Sequence, residues 1–265
     1  MDTLIQHNAP TLDTLLGGFS PIGLHELGDS ALLDRIDTKY VVGMGQLEDA
    51  LERVSGQYDI LCVDGRRLNP YQTLYFDTPD FDIYKQHHNG WGDRYKIRAR
   101  RYIGSDVAFF EVKHRTNRSR TIKSRLPITQ VTTQINDSAL AFVDANTPFT
   151  SSGLEPKLWN DYQRVTLVSK TSAERVTIDL TMEFGWEDTQ ITFPGVAIIE
   201  VKQASLAQRS EFNAQMRRLG LRAGSFSKYC VGVSSLYQPP KSNNFKAYFR
   251  QINKVMGADS YVTLR

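Results

Sequence analysis

The residues of this chain that could do chemistry recur at alternate positions. Arg35, Asp37 and Lys39 are spaced by two, as are Lys96, Arg98, Arg100 and Tyr102; so are Glu111, Lys113 and Arg115, then Arg175, Thr177 and Asp179, then Glu200 and Lys202. Successive side chains of a strand point to opposite faces, so each set shares one face while Ile97, Val112, Ile178 and Val201 take the other. For any one strand, an ordinary solvated face accounts for such a pattern. The repetition weakens that account, because cations crowded on one surface repel unless an anion lies among them. Arginine offers phosphate a planar fork of donors and lysine a compact charge, so the mixture favours phosphoryl groups. Carboxylates between them could hold a divalent cation against the phosphates.

Strands must present these residues, and strands are expected at 37–42, 73–76, 94–102, 108–115, 163–169, 174–180 and 196–202, separated by turn signals such as Asn89-Gly90, Gly104-Ser105 and Pro194-Gly195. Apolar spacing predicts helices over 24–33, 45–54, 137–145, 208–219 and 245–256. The expected fold is α+β and strand-dominated: an antiparallel β-barrel whose charged faces turn inward as a tunnel, with helices packed outside over the aliphatic faces. Residues 1–22 read as an N-terminal arm, 23–238 as the tunnel domain and 239–265 as a basic, helical C-terminal tail behind Pro239-Pro240.

A chain of 265 residues accommodates one such domain. The net charge of +3 is too small to mark a nucleic-acid binder, so an anion site must come from local concentration of basic residues. Trp91, Trp159 and Trp186 form no cluster beside a basic run, and no nucleic-acid partner is expected. Cys62 and Cys230 are far apart among apolar residues, as buried thiols in a reducing cytoplasm would be. With no basic leader and no apolar run of about 18 residues, a cytoplasmic protein without a membrane span is expected. No glycine-rich phosphate loop occurs, which leaves phosphate binding to side chains. His87-His88, placed on a strand, would point to opposite faces and could not share one metal ion.

Joined by Tyr75-Phe76-Asp77-Thr78, Tyr162-x-Arg164 and Ser227-Lys228-Tyr229, the alternating motifs resemble, in order, the polyphosphate polymerase (VTC) domain, a branch of the triphosphate tunnel metalloenzymes. The resemblance implies a triphosphate tunnel fold that binds ATP and inorganic polyphosphate or triphosphate, and transfer of the γ-phosphate of ATP to a growing chain. It implies that Lys39, Arg98, Arg100, Lys113, Arg164 and Lys228 hold phosphates, with Arg35, Arg115, Lys123, Arg125 and Lys202 extending the basic lining and Tyr162 donating a hydrogen bond. It further implies Mn²⁺ or Mg²⁺ on Glu200, with Glu111 and Asp179 as lesser ligands, and catalytic roles for Arg98, Arg100, Lys113, Glu200 and Lys228. The related triphosphatases open with Glu-x-Glu-x-Lys, whereas here Arg35 and Asp37 stand at the acidic places, which matches the polymerase branch better. A triphosphate hydrolase and a non-catalytic polyphosphate-binding module are the other readings of such a tunnel.

Overall fold

The computed structural model describes residues 11–27, 36–105, 107–118, 120–205, 209–237, 239 and 241–257. Its elements are α1 (Leu12–Gly17), β1 (Ser20–Ile22), β2 (Ile36–Gly43), α2 (Met44–Val54), β3 (Tyr58–Leu61), β4 (Asn69–Asp77), α3 (Asp82–His88), β5 (Arg94–Tyr102), β6 (Val107–Arg115), β7 (Thr121–Ile128), α4 (Asp137–Asn146), β8 (Glu155–Ser169), β9 (Glu174–Trp186), β10 (Thr189–Thr192), β11 (Val196–Gln203), α5 (Glu211–Arg218), α6 (Lys228–Leu236) and α7 (Lys246–Met256). The helix expected over 24–33 is a 3₁₀ turn at Leu24–Leu27, and residues 28–33 lie outside the described residues, as does Arg35.

The strands form one 11-stranded sheet whose main path is β2-β11-β9-β8-β4-β5-β6-β7. All neighbours on that path are antiparallel. Register aligns the charged residues across strands: Lys39 with Glu200 and Thr177, Arg98 with Glu111 and Arg125, and Lys96 with Lys113 and Lys123. Directly opposed residues share a face, so the period-two sets of separate strands merge into one charged surface.

The sheet curls around that surface. β2 and β6 stand six positions apart on the path, roughly 29 Å if the sheet were flat. Yet Lys113 on β6 lies within the field of Glu200 on β11 and Lys39 on β2, which solvent screening would erase beyond about 10 Å. Charged faces at opposite ends of the path therefore look at each other across a trough. Among the described residues β2 and β7 do not pair, so hydrogen bonds do not close the ring. The outer edge of β2 is instead satisfied by Gly224 N, which donates to Lys39 O (2.9 Å), and by Gln251 Nε2 of α7, which donates to Val41 O (3.0 Å).

Helices cover the aliphatic outer face, as the strand pattern requires. α1, α2 and α5 bury Leu16, Leu47, Leu51, Phe212 and Met216 against Val42, Ile178 and Ile199, while Ala139 and Val143 of α4 join the core that holds Phe110 and Val112. α6 is different. Tyr229 to Ser235 are all buried, as in a helix surrounded on every side. Its Gly232 faces Leu158 and Phe184, whose register partners Tyr75, Asn160 and Thr73 lead to Arg98 and Arg100, so α6 lies on the charged side of the sheet and plugs one end of the trough.

Asp77 locks this plug in place. Its carboxylate accepts from the backbone N–H groups of Thr78 (2.7 Å), Ile83 (2.8 Å) and Tyr84 (2.9 Å) and from the hydroxyl of Tyr229, tying β4 to α3 and α6. Burial raises its pKa while those donors oppose the shift.

A side chain at Gly232 must displace this plug, since even a Cβ would lie 2.7 Å from Phe184 Cδ1 and 3.0 Å from Leu158 Cδ1. Overpacking of this kind costs about 1–3 kcal/mol. Gly232→Val is expected to lower the denaturant midpoint accordingly; an unchanged midpoint would mean that α6 does not pack on this face.

Candidate functional site

Three acidic groups of the charged surface, Glu111, Asp179 and Glu200, are clamped by cations. Glu111 meets Arg98 Nη2 (2.7 Å), Lys123 Nζ (2.6 Å) and Arg125 Nε (3.1 Å). Burial alone would raise its carboxyl, but Arg98, Arg100 and Lys123 together hold it well below the usual carboxylate range. Asp179 receives a two-pronged bond from Arg164 (2.6 and 2.8 Å) and a further one from Lys228. Glu200 lies between Lys39 and Lys202, the latter 3.0 Å away. Desolvation opposes ionisation of both, and the flanking cations overcome it, so both pKa values are lowered.

Cations remain after this pairing. Lys96 and Lys113, directly opposed on β5 and β6, have no carboxylate within ion-pair distance among the described residues, and neither does Arg100. Burial pushes the Lys96 amine down to about 8, with Arg98, Lys39 and Arg94 adding to the effect. Lys113 is likewise pushed down to about 8 by burial and then by Lys96. Burial also takes Lys202 to about 8 and Lys123 to about 7, in spite of their carboxylate neighbours. Arg100 is 5% exposed and donates only to Thr73 Oγ1 (3.1 Å). Its guanidinium also lies over the rings of Tyr71 (5.7 Å) and Tyr162 (5.9 Å). The hydroxyl of Tyr162 is buried without a hydrogen-bond partner, an unusual state for a buried polar atom.

Of the residues expected to line a tunnel, Lys39, Arg98, Arg100, Lys113, Lys123, Tyr162, Arg164, Lys202 and Lys228 share the charged surface, through the register and the contacts above. Arg125 is half exposed at its rim and Arg115 is exposed at the end of β6. Lys96 belongs to the charged face read from the sequence through its place in the Lys96-x-Arg98-x-Arg100 alternation, but it is not among the residues the resemblance assigns to phosphate.

Among the described residues no group of three His, Cys, Asp or Glu side chains converges. Glu111, Asp179 and Glu200 stand in separate clamps, so an all-protein cage for a divalent ion is not formed. Glu200 is the most accessible of the three, its side chain 19% exposed against 5% for Asp179 and 1% for Glu111. Hard divalent ions accept one or two carboxylates together with phosphate oxygens, and only at Glu200 do the residues fit that arrangement. His87 and His88 lie on α3 and not on a strand; His87 Nε2 is bonded to Tyr95 O (2.6 Å), and burial with Lys96 nearby keeps its ring neutral, while His88 faces Asn244.

The VTC domain family model matches residues 34–237. Similar solved structures include a candidate adenylate cyclase from Bacillus halodurans, 13% identical with a TM-score of 0.48, covering 74% of this chain and 94% of that one. A Pyrococcus horikoshii protein is 14% identical with a TM-score of 0.44, covering 75% and 96%. A Hippeastrum protein described as a candidate adenylyl cyclase with a dominant triphosphatase activity is 12% identical with a TM-score of 0.44, covering 75% and 96%. No curated protein matches the chain.

Lysines whose folded pKa is about 8 bind fewer protons than the unfolded chain, where the value is about 10.4, between those two limits. Their contribution to stability is unfavourable below pH 8 and is relieved as pH rises through that window. Lys113→Met is therefore expected to raise the Tm of the ligand-free protein at pH 7 and to flatten its rise in stability from pH 8 to 10. A lower Tm with an unchanged pH slope would show that Lys113 is internally compensated.

Proposed function

The chain belongs to the VTC domain family, a branch of the triphosphate tunnel metalloenzymes, and on that premise we propose that it is a metal-dependent polyphosphate polymerase, which transfers the γ-phosphate of ATP to a growing polyphosphate chain inside the basic trough. The observation that carries this reading is the surplus of cations: Lys96, Lys113 and Arg100 face the same space as the clamped carboxylates and, among the described residues, make no ion pair. A phosphate chain supplies the missing charge at intervals along its length.

In this reading Lys39, Lys96, Arg98, Arg100, Lys113, Arg164, Lys202 and Lys228 hold phosphate oxygens, and Tyr162 donates its unpartnered hydroxyl. Lys123, Arg125 and Arg115 continue the basic surface toward the rim, and Arg35 is added to the basic lining from its motif alone. Glu111 and Asp179 fix the arginines that face the ligand. A Mn²⁺ or Mg²⁺ ion, bound by Glu200 and phosphate oxygens, would neutralise charge developing on the transferred group. Phosphoryl transfer depends mainly on positioning and electrostatic stabilisation, which this set supplies.

The state of the carboxylates favours polymerisation over hydrolysis. Glu111, Asp179 and Glu200 are already engaged by arginine and lysine, and a carboxylate so engaged is poorly suited to take a proton from water. A terminal phosphate oxygen is already anionic and needs no base. No helix among the described residues is long and apolar enough to cross a membrane, and a cytoplasmic location, where ATP is supplied, belongs to the same proposal.

Incubation with ATP and Mn²⁺, with products resolved by chain length, is expected to give a ladder of polyphosphates; orthophosphate alone would make the protein a hydrolase, and no turnover a binding module. Glu200→Gln is expected to reduce turnover by about a hundredfold or more and triphosphate affinity by only severalfold, because the basic lining persists. Full activity in that variant would remove Glu200 from the metal site. Tripolyphosphate at about 100 times its Kd is expected to stabilise the fold by roughly 2.7 kcal/mol, an effect that added salt reduces. A Tm indifferent to tripolyphosphate would leave the charged face as ordinary surface.

A further inference from the structure

Along β5 and β6 the charged surface changes character. From the start of β5 the opposed pairs on this face are Arg94 with Arg115, Lys96 with Lys113 and Arg98 with Glu111; the next are Arg100 with Phe109 and Tyr102 with Val107. The concave face thus passes from ionic to aromatic within one hairpin, and the aromatic part lies by the β5–β6 turn, where Tyr102 and Phe109 are partly exposed.

These rings are continuous with the cations. Phe109 meets Tyr102 edge to face (6.3 Å), Tyr102 packs on Tyr71 (4.9 Å), and Tyr71 stacks on Tyr162 (5.2 Å, 12° between planes). Tyr162 in turn lies under Arg164 (5.3 Å), Arg100 (5.9 Å) and Lys228 (4.6 Å). On the rim side, Arg125 lies over Phe109 (5.3 Å) with its side chain 46% exposed. A planar guanidinium and aromatic rings at one open mouth form a stacking platform, and every nucleobase has a π-face to lay on it.

We infer that this mouth is a nucleobase site, in which Tyr102, Phe109 and Arg125 carry the base of a nucleoside triphosphate whose phosphates reach Arg100, Arg164 and Lys228. The inference rests on the phosphate-binding reading above and adds to it the residues that distinguish a nucleotide from inorganic polyphosphate. A ligand made only of phosphates gains nothing from an aromatic wall, whereas a nucleoside triphosphate has the same division into aromatic and anionic halves that the hairpin shows. Trp91 is the most exposed aromatic of the described chain but does not compete: among the described residues its ring has no aromatic partner and no cation over it, and Arg94 bonds to its carbonyl.

The test is calorimetric binding of AMP-PNP, ribose 5-triphosphate and tripolyphosphate to the full chain in one Mn²⁺ buffer. The wild type is expected to prefer AMP-PNP to ribose 5-triphosphate by about fivefold or more, since stacking of one base is worth at least that factor. Tyr102→Ala, and separately Phe109→Leu, which keeps an apolar side chain without a π-face, are expected to lower the ratio of AMP-PNP to tripolyphosphate affinity by about tenfold. Equal wild-type affinity for AMP-PNP and ribose 5-triphosphate overturns the nucleobase site while the phosphate reading stands. Tripolyphosphate binding with an unchanged ratio in both variants does the same. A wild type that binds none of the three overturns the phosphate reading and this inference with it.

Discussion

Charge imbalance on the concave face of the sheet is the constraint on which the rest depends. Glu111, Asp179 and Glu200 are engaged by Arg98, Lys123, Arg125, Arg164, Lys228, Lys39 and Lys202, and among the described residues Lys96, Lys113 and Arg100 are left without an ion pair. Partly buried cations without counter-ions weaken a fold, and the lowered pKa values of Lys96 and Lys113 express that cost. The paired acids have a structural use: each fixes the direction of an arginine or lysine fork before any ligand arrives, which reduces the ordering that binding must impose.

The scaffold must then hold like charges together, and it does so from outside. α1, α2 and α5 bury the aliphatic faces of β2, β9 and β11, and α4 joins the core that holds Ile97, Phe110 and Val112 of β5 and β6, while α6 packs on the charged side at one end. The Asp77 lock ties α6 to the end of β4, so the plug and Lys228 at its first turn are positioned by one buried carboxylate. Sheet curvature does the remainder, bringing β2 and β11 opposite β5 and β6.

Much of this was legible in the sequence because period two is a strong signal when both faces are distinctive. β5, β6, β9 and β11 alternate aliphatic and charged residues, and their positions and shared face follow directly. β7 was missed as a strand because it is an exposed edge that contains Pro127 and whose apolar face, Ile122, Leu126 and Ile128, is interrupted by Ser124, though its Lys123 and Arg125 were read as basic lining. α6 was missed because a helix buried all round has no 3.6-residue alternation to detect. α3 was missed as well, being short and preceded by Phe81 at φ 60° with no side-chain cap. The split between paired and unpaired cations was not legible at all, since it depends on cross-strand register: Lys96 faces Lys113, while Arg98, one pair along, faces Glu111.

The most direct test of the central claim is a count of protons. If Lys96 and Lys113 lack counter-ions until a polyanion arrives, binding raises their pKa values and the protein must take up protons at pH 8. ATP is the suitable ligand, because a phosphate ester loses its last proton near pH 6, at about that value, and has none to exchange at pH 8. Calorimetric titration in two buffers of different ionisation enthalpy measures the exchange, and the account predicts net uptake at pH 8 that is lost at pH 6, where the lysines are already protonated and partly protonated ATP gives up protons to the buffer. Binding without proton uptake at pH 8, or with release, would contradict it.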